Sequence, residues 1–261
     1  MKKILTKLLI VSAVAVGLVG CGNSSTATNA DSNKKFSKKY SIATDVTFAP
    51  FEFQKDGKYT GIDIELLEAI SKTEGFEYEL KPMDFKGIIP ALQSNQIDGA
   101  IAGMSITDER KKVLDMSEGY FESGVSAVVK KDNDKIKTES DFKGKVVAVK
   151  KGTSGSKYAE ENKDKLGFTV KYFNDSPSMM QEVKNGNADL AFEDYPVVGY
   201  AITVDENSGL KIVGDKLTKQ DYGFAVKKGS NKELMDAFND GLKKLKESGE
   251  YDKIIQKYIK K

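Results

Sequence analysis

An α/β fold with two similar lobes is predicted for most of this 261-residue chain, on three observations. Short β-rich segments alternate with longer segments whose apolar residues recur at helical spacing, which is typical of layered α/β proteins. The alternation restarts after residue 129 with a weakly similar pattern. A late strand then precedes two amphipathic helices at the end of the chain.

The predicted elements follow one another in a regular order. Strands are predicted at residues 41–44, 76–80, 97–102, 145–149, 168–173, 188–192 and 222–226. Helices are predicted at residues 62–72, 84–92, 107–110, 154–162, from 176 onwards, at 195–203, and twice after residue 226. Asp84 is expected to cap its helix, Pro90 to bend that helix, and Pro177 to occupy the first position of a later one.

A weak internal repeat underlies the prediction of two lobes. In both copies a capped helix ends in an Asn-rich turn, and an Asp-x-Ala strand follows. Two similar lobes would each have a loop at the carboxyl ends of their strands, where α/β sheets bind ligands. Coincidence is the alternative, since any α/β chain shows some such matches. Asp84, Leu92, Asp98 and Ala100 recur at one constant spacing as Asp175, Val183, Asp189 and Ala191.

The late strand suggests how the lobes are joined. If the terminal helices pack on the first lobe, the chain must cross between the lobes twice, which makes a double hinge beside a cleft. We therefore expect lobe 1 to comprise residues 40–120 and 223–261, and lobe 2 residues 125–219. The hinge segments are then residues 121–124 and 220–222.

The N-terminal segment has the pattern of a bacterial lipoprotein signal. Residues 1–20 combine lysines at the start with an apolar run at residues 8–19 that is too short for a transmembrane helix. Cys21, the only cysteine, follows a small residue, as lipidation of its thiol requires. An ordinary secretory signal with a stray cysteine is the alternative. Residues 21–39 are polar and almost devoid of apolar side chains, which predicts a flexible tether.

Composition excludes several kinds of active site. The chain contains no histidine, so imidazole bases, histidine metal ligands and Ser-His-Asp triads are impossible. With the single cysteine assigned to lipid, thiol catalysis is excluded as well. Acidic and basic residues nearly balance, so no basic field for nucleic acid is expected. Metal motifs and phosphate-binding glycine loops are missing, and we expect neither a metal nor another cofactor.

Arg110 stands out because it is the only arginine among the 41 basic residues. Lysine cannot supply a planar, bidentate fork of donors, so one retained arginine indicates a guanidinium with a specific task. Chance survival of one arginine in a lysine-rich chain is the alternative.

Five segments carry a resemblance to a known family. They are DVTFAPFEF at 45–53, GID at 61–63, MDFKGIIPAL at 83–92, AGMSITDERK at 102–111 and VAVKKGT at 147–153. Residues 40–261 resemble the family 3 extracellular solute-binding proteins, and among these the glutamine-binding proteins. The resemblance implies a periplasmic-binding-protein (Venus-flytrap) fold with a two-strand hinge. It also implies that an amino acid is bound and delivered to an ABC permease with its ATPase.

The resemblance implies roles for individual residues. A zwitterion leaves water only if both its charges are paired. Arg110 matches the clamp for the α-carboxylate, helped by donors at Gly103, Ser105 and Thr153. Asp194 matches the carboxylate that binds the α-ammonium, and it could also cap the following helix. Phe48 and Phe85 match an aromatic pair around the ligand's methylenes, with core packing as the alternative.

Ligand preference is implied by a second set of positions. Lys150 and Asp45 match residues that donate to and accept from a glutamine amide, and a surface role is the alternative for Lys150. Glu193 and Ser154 depart from the glutamine-binding pattern, which commonly has His and Gly there. An extra carboxylate would favour arginine or another basic amino acid, unless Glu193 pairs with Lys150.

Two enzymatic hypotheses are alternatives to the receptor. Residues 154–157 fit S-x-x-K, but the accompanying S-D-N and K-T-G motifs are missing. A dehydratase on the same fold would use Glu193 as its general acid. We expect instead a non-enzymatic, monomeric receptor that binds L-glutamine, anchored by lipid on Cys21 to the extracellular face of a Gram-positive cell membrane.

Overall fold

The computed structural model describes residues 36, 38–205 and 207–259. The predicted signal peptide (residues 1–20) and the lipidation site Cys21 lie outside this part, so both stay predictions. None of the helices in the described ranges is long and apolar enough to cross a membrane.

Fifteen strands and eight α-helices are present in this part of the chain. The strands are β1 (Lys39–Thr44), β2 (Thr47–Phe48), β3 (Glu52–Lys55), β4 (Lys58–Thr60), β5 (Glu77–Pro82), β6 (Gly99–Ala100), β7 (Leu114–Met116), β8 (Phe121–Ser123), β9 (Val125–Lys130), β10 (Val146–Lys150), β11 (Thr169–Phe173), β12 (Leu190–Asp194), β13 (Leu210–Val213), β14 (Gln220–Tyr222) and β15 (Ala225–Lys227). The helices are α1 (Ile62–Glu74), α2 (Phe85–Gln93), α3 (Asp108–Lys111), α4 (Ser154–Leu166), α5 (Ser176–Asn185), α6 (Tyr195–Val204), α7 (Lys232–Ser248) and α8 (Glu250–Tyr258), with a short 3₁₀ helix at Glu139–Phe142.

Two five-stranded sheets with the same topology form the two lobes. The first has the order β5-β1-β6-β15-β7 and the second β11-β10-β12-β9-β13. In each sheet the central strand of the first three, β1 or β10, runs parallel to both neighbours, and the fourth strand is antiparallel to both of its own. The predicted two-lobed α/β class is therefore confirmed.

The sequence repeat has a structural counterpart in both lobes. Asp98 accepts a hydrogen bond from the amide of Ser41 at 2.9 Å, and Asp189 accepts one from the amide of Val146 at 2.8 Å. Both aspartates thus tie the start of β6 or β12 to the neighbouring strand, β1 or β10. The repeated alanines pair with β1 and β10 as well.

Two antiparallel segments connect the sheets. Strand β8 pairs with β14, and the chain continues from β8 into the second sheet and from β14 into the first. The single strand predicted at residues 222–226 is wrong, because the chain breaks there into β14 and β15. It changes partners at Gly223, where the amide bonds to the carbonyl of Met104 and an added Cβ would lie 2.8 Å from Ile106.

Helices α7 and α8 pack on α1 of the first lobe. The chain must therefore cross between the lobes twice. Gly241 of α7 allows close approach, because a Cβ there would lie 2.7 Å from Ile70. Leu66, Phe238 and Leu242 are buried in the same core, and each such side chain contributes roughly 1.5–3 kcal/mol. The Tyr258 hydroxyl also donates to Glu65 at 2.6 Å.

The first lobe begins earlier than expected. Phe36 is buried and packs edge-on against Tyr40 and Phe76, with ring centroids 6.1 and 5.7 Å away. Lys38 forms a 2.6 Å ion pair with Asp98, and β1 starts at Lys39. The end of the segment predicted as a tether, residues 21–39, therefore packs on the first sheet. It does so because Phe36, an aromatic residue in a polar stretch, contacts two other aromatic rings.

One predicted helix cap differs from expectation. Asp84 stands at the N-cap position of α2, but its side chain makes no capping bond there. Asp175, its repeat equivalent, does cap α5 by accepting from the amide of Ser178 at 2.8 Å. Pro90 lies inside α2 as predicted, and Pro177 lies in the first turn of α5.

Candidate functional site

All but two of the predicted ligand-binding residues line one small cavity between the lobes. They come from segments that follow the carboxyl ends of parallel strands, where the repeat had predicted ligand-binding loops. The cavity volume is about 10 Å³, enough for about one water molecule. Its lining consists of Phe48, Phe85, Gly103, Ser105, Arg110, Lys150, Thr153, Ser154 and Asp194.

Arg110 presents a buried positive charge to this cavity. The Thr107 side chain caps the short helix α3 that carries it. The guanidinium donates to the carbonyls of Ser105 at 2.7 Å and Gly152 at 3.0 Å, so it touches both lobes. No carboxylate of the described residues lies within ion-pairing distance, although Arg110 is only 8% exposed. Burial lowers the pKa of Arg110 to about 10, and the charge of Asp194 opposes this.

The start of helix α4 faces the same place. Thr153 accepts from the amide of Ser156 at 3.2 Å and donates to the carbonyl of Lys150 at 2.7 Å. Thr153 and Ser154 both line the cavity, so the N-terminus of this 13-residue helix lies beside it, as at many anion sites. The Ser154 hydroxyl is buried, lines the cavity and finds no partner in the described part of the chain. Sequence reasoning had noted Ser154 as a departure from a pattern and as the serine of an S-x-x-K motif, but not as a ligand-binding residue.

Lys150 fills the space between the two predicted aromatic residues. It ends strand β10 of the second lobe, and its ammonium forms an ion pair with Asp45 of the first lobe. The Nζ atom lies 4.6 Å from the ring centroid of Phe48 and 5.4 Å from that of Phe85, which adds cation–π attraction. With 1% exposure, Lys150 is not a surface residue. Asp45 does not line the cavity, because Lys150 covers its carboxylate.

Asp194 supplies a carboxylate to the lining of the cavity. Its Oδ2 accepts from the hydroxyl of Tyr222 in the hinge strand β14 at 2.6 Å. The side chain stands at the N-cap position of α6 but makes no capping bond there, so the expected double role is not seen. Burial raises the pKa of Asp194, while the Tyr222 bond and the charge of Arg110 work in the opposite direction. Sequence reasoning missed Tyr222, since nothing local to it indicates a site.

Glu193 lies behind the cavity rather than in its lining. Its Oε1 accepts from the amide of Asp194 at 2.8 Å, whereas Oε2 is buried and has no hydrogen-bond partner among the described residues. Burial, and then the charge of Asp194, raise the pKa of Glu193 to about 7, against the opposing effect of Lys150. The alternative of a Glu193–Lys150 ion pair is not the arrangement seen, since Lys150 binds Asp45.

A buried carboxyl pair supports the loop at Gly103. Asp63 accepts from the Gly103 amide at 2.7 Å and from the Tyr120 hydroxyl at 2.8 Å. Burial raises the pKa of Asp63 to about 6, and burial together with the charge of Asp63 raises that of Glu52 well above its usual value. A protonated Glu52 is a donor and an ionised Asp63 an acceptor, so burial favours one negative charge on the two carboxyls over two.

Gly103 itself is required by its surroundings. Its φ is +51°, and an added Cβ would lie 2.5 Å from the ring of Phe48. The glycine therefore lets the aromatic ring lie directly on the backbone of the loop.

Two polar contacts join the lobes at the mouth of the cleft. Lys157 pairs with Glu109 at 2.5 Å, and Lys86 donates to Asn174 at 3.0 Å. The S-x-x-K hypothesis requires that the lysine activate the serine, but the Lys157 ammonium forms an ion pair with Glu109 at the rim. The motif thus has no catalytic geometry here.

Comparison with known proteins places the chain in a family. The family described as bacterial extracellular solute-binding proteins, family 3, matches residues 40–261. The chain is 34% identical over 253 residues to the arginine-binding extracellular protein ArtP of Bacillus subtilis (strain 168), covering 97% of this chain and 96% of that protein. It is 33% identical over 276 residues to the ABC transporter glutamine-binding protein GlnH of the same organism, covering 100% and 98%.

Solved structures agree with the sequence matches. An ancestral arginine-binding protein bound to arginine superimposes with a TM-score of 0.80 at 44% identity, covering 85% of this chain and 98% of that one. A second structure, of an ancestral arginine-binding protein bound to glutamine, gives a TM-score of 0.80 at 43% identity, with 87% and 100% covered. The two-lobed architecture and the match over residues 40–261 show that the chain belongs to the family 3 bacterial extracellular solute-binding proteins.

Proposed function

We propose that the protein is the receptor of an amino-acid ABC importer and that it binds L-glutamine in the cleft between its lobes. The observation that carries the proposal is the buried Arg110 guanidinium, which has no carboxylate partner among the described residues and lines the same cavity as Asp194. A buried unpaired charge is costly unless a ligand completes it.

A free amino acid supplies both missing charges. Its α-carboxylate would accept two parallel bonds from Arg110, with further donors at the start of α4 and at Ser105. Its α-ammonium would bind Asp194, which Tyr222 already orients. These contacts come from both lobes, so the bound ligand favours the closed cleft.

The side chain would enter the space that Lys150 now fills. Lys150 can donate to the amide oxygen of glutamine and Asp45 can accept from its nitrogen, while Phe48 and Phe85 cover the methylenes. Inserting a neutral amide between Lys150 and Asp45 leaves the net charge of this region unchanged. That balance favours glutamine.

Arginine is the second candidate ligand. The similarity to ArtP and to the arginine-bound structure supports it, and so does the unpartnered oxygen of Glu193, which could accept a bond near a second cation. A dehydratase with Glu193 as its general acid has less support, because Glu193 is not part of the cavity lining.

The same proposal covers the organisation and location of the protein. Lobe 1 comprises residues 40–120 and 223–261, with Phe36, Lys38 and Lys39 packed on it. Lobe 2 comprises residues 125–219, and the hinge consists of residues 121–124 and 220–222. A lipid on Cys21 holds the monomeric receptor at the extracellular face of the membrane, where it meets the permease and its ATPase. Cys21→Ala should therefore release the protein from the membrane with binding intact, and a variant that stays membrane-bound contradicts the anchor.

Calorimetry of the purified protein with the twenty amino acids tests the ligand assignment. We expect glutamine to bind most tightly, and Lys150→Ala to weaken glutamine more than arginine because Asp45 is then left unopposed. Preference of the unaltered protein for arginine, unchanged in Lys150→Ala, would refute glutamine but leave the amino-acid receptor standing. Binding of no amino acid would refute the receptor.

A further inference from the structure

We propose that Lys150 has two alternative counter-ions, Asp45 and Glu193, and that Glu193 thereby determines which ligand charge the cleft accepts. With Lys150 on Asp45, the site takes a neutral amide. With Lys150 on Glu193, Asp45 is free to bind a cationic side chain. This inference rests on the proposed amino-acid receptor and assigns Glu193 a role behind the ligand rather than against it.

The sheet of the second lobe places the two side chains next to each other. Strands β10 and β12 are parallel neighbours in which Val149 stands beside Phe192. Lys150 and Glu193 follow one residue later in each strand, so both side chains emerge on the same face of the sheet. Neighbouring strands lie about 4.8 Å apart, a distance that an ammonium on a four-carbon stem spans easily.

Glu193 also has an unused acceptor for Lys150. Its Oε1 is bonded to the Asp194 amide, but Oε2 is buried and without a partner among the described residues. The Ser176 hydroxyl lies close enough to lower the pKa of Glu193, but a neutral hydroxyl does not balance an ionised carboxylate as an ammonium does. A buried acceptor of this kind is unfavourable until a donor balances it. Lys150 is the cation on the adjacent strand, where its bond to Asp45 across the cleft and the rings of Phe48 and Phe85 now hold it.

A cationic ligand would make Lys150 exchange Asp45 for Glu193 as its counter-ion. A guanidinium placed beside Lys150 on the Asp45 side would put two positive charges on one carboxylate. Moving Lys150 to an ionised Glu193 leaves one carboxylate for each cation. A glutamine amide is neutral and needs no carboxylate of its own, so Lys150 can stay on Asp45 and Glu193 can remain protonated.

Several groups face the Glu193 carboxyl and set its charge. They are Lys150 on β10, Asp194 next to it on β12, Ser126 opposite on β9, Ser176 at the start of α5, and Tyr222 from the hinge. With a pKa of about 7, Glu193 exchanges its proton near neutral pH. Arginine binding requires the ionised form and should release a proton, so arginine affinity rises as the pH increases through this value.

Calorimetry with L-glutamine and L-arginine at pH 6, 7 and 8 tests the proposal on the intact protein, on Glu193→Gln and on a control, Glu68→Gln. Glu68 is an exposed residue of α1 that pairs with Lys72 of the same helix, so the control removes a carboxylate away from the cleft. For the unaltered protein we expect arginine affinity to rise about tenfold from pH 6 to pH 8, as ionisation of one group demands. Glu193→Gln should raise the ratio of glutamine to arginine affinity at pH 8 at least tenfold and abolish the pH dependence for arginine.

The number of protons released on ligand binding can be measured on the unaltered protein. It therefore tests the proposal even if Glu193→Gln does not fold. Titrations of arginine at pH 7 in buffers of different ionisation enthalpy should reveal a fraction of a proton released, and glutamine titrations should reveal less. Equal proton release for both ligands, or a ratio that Glu193→Gln leaves within threefold, overturns the assignment of Glu193 while the receptor stands. Failure of the unaltered protein to bind either amino acid refutes the proposed function itself.

Discussion

The two walls of the cleft share one sheet topology but hold their polar groups differently. In the first lobe, Gly103 is fixed by Asp63, and Arg110 is held by the Ser105 carbonyl, both within that lobe. In the second lobe, Lys150 finds its partner across the cleft and Asp194 finds one in the hinge. The first wall is therefore largely preorganised, whereas Lys150 of the second wall reaches its partner only when the lobes meet.

Removing the fork of Arg110 should have the largest effect on this arrangement. Arg110→Lys keeps the charge but cannot make the bonds to Ser105, Gly152 and a carboxylate at once. Truncating a desolvated charged pair costs about 2–5 kcal/mol, so we expect at least tenfold weaker binding of every amino acid. Calorimetry measures this, and Lys111→Ala on the same helix is the control. Affinity close to that of the unaltered protein would show that Arg110 is not the clamp.

Disturbing the preorganised wall itself should have the next largest effect. Gly103→Ala forces a Cβ to within 2.5 Å of Phe48 at a positive φ, which should lower the free energy of unfolding by about 2–3 kcal/mol and weaken binding. Gly87→Ala in α2 meets nothing within 4 Å and should stabilise the protein by roughly 0.5–1 kcal/mol. Thermal unfolding of both variants distinguishes the positions. Equal changes in melting temperature would contradict the close contact at Gly103.

Tyr222→Phe tests the connection between the hinge and the second wall. It removes the hydroxyl that donates to Asp194 but keeps the ring among Phe48, Phe51 and Phe121. A hydrogen bond to a charged group contributes about 1.5–3 kcal/mol, so we expect amino-acid affinity to fall roughly tenfold with little loss of stability. Tyr251→Phe, which removes a hydroxyl bonded to the Tyr120 carbonyl, is the matched control and should leave affinity unchanged.

The buried carboxyl pair behind the first wall should give the smallest effect, visible as a pH dependence. The folded-state pKa of both Glu52 and Asp63 is raised, so these two groups bind more protons in the folded protein than in the unfolded chain, and their contribution to stability falls as pH rises above about 4. Glu52→Gln keeps a donor for Asp63 but cannot ionise, so this decline should be shallower than in the unaltered protein. Thermal unfolding from pH 5 to pH 9 measures it, with the exposed Glu122→Gln as control. Parallel curves would contradict a shared proton.

Much of the fold followed from local patterns in the sequence. The alternation of elements, the repeat and the Pro positions depend on neighbours along the chain, and the structure has them. The single strand at residues 222–226 was wrong because Gly223 separates two segments with different partners, and sequence periodicity does not reveal partners. Phe36 was assigned to a tether because its packing against Tyr40 and Phe76 depends on tertiary contacts.

The sequence by itself determined which chemistry is available: one arginine, no histidine, and a set of residues whose types suit a zwitterionic ligand. Side-chain type and spacing encode this directly. Only the tertiary structure decided which charges meet. Lys150 can reach either Asp45 or Glu193, and the choice depends on two strands of one lobe and on a loop of the other lobe. Pairing across a cleft is a property of the assembled lobes, because the energy of a charge depends on burial and on partners distant in the chain.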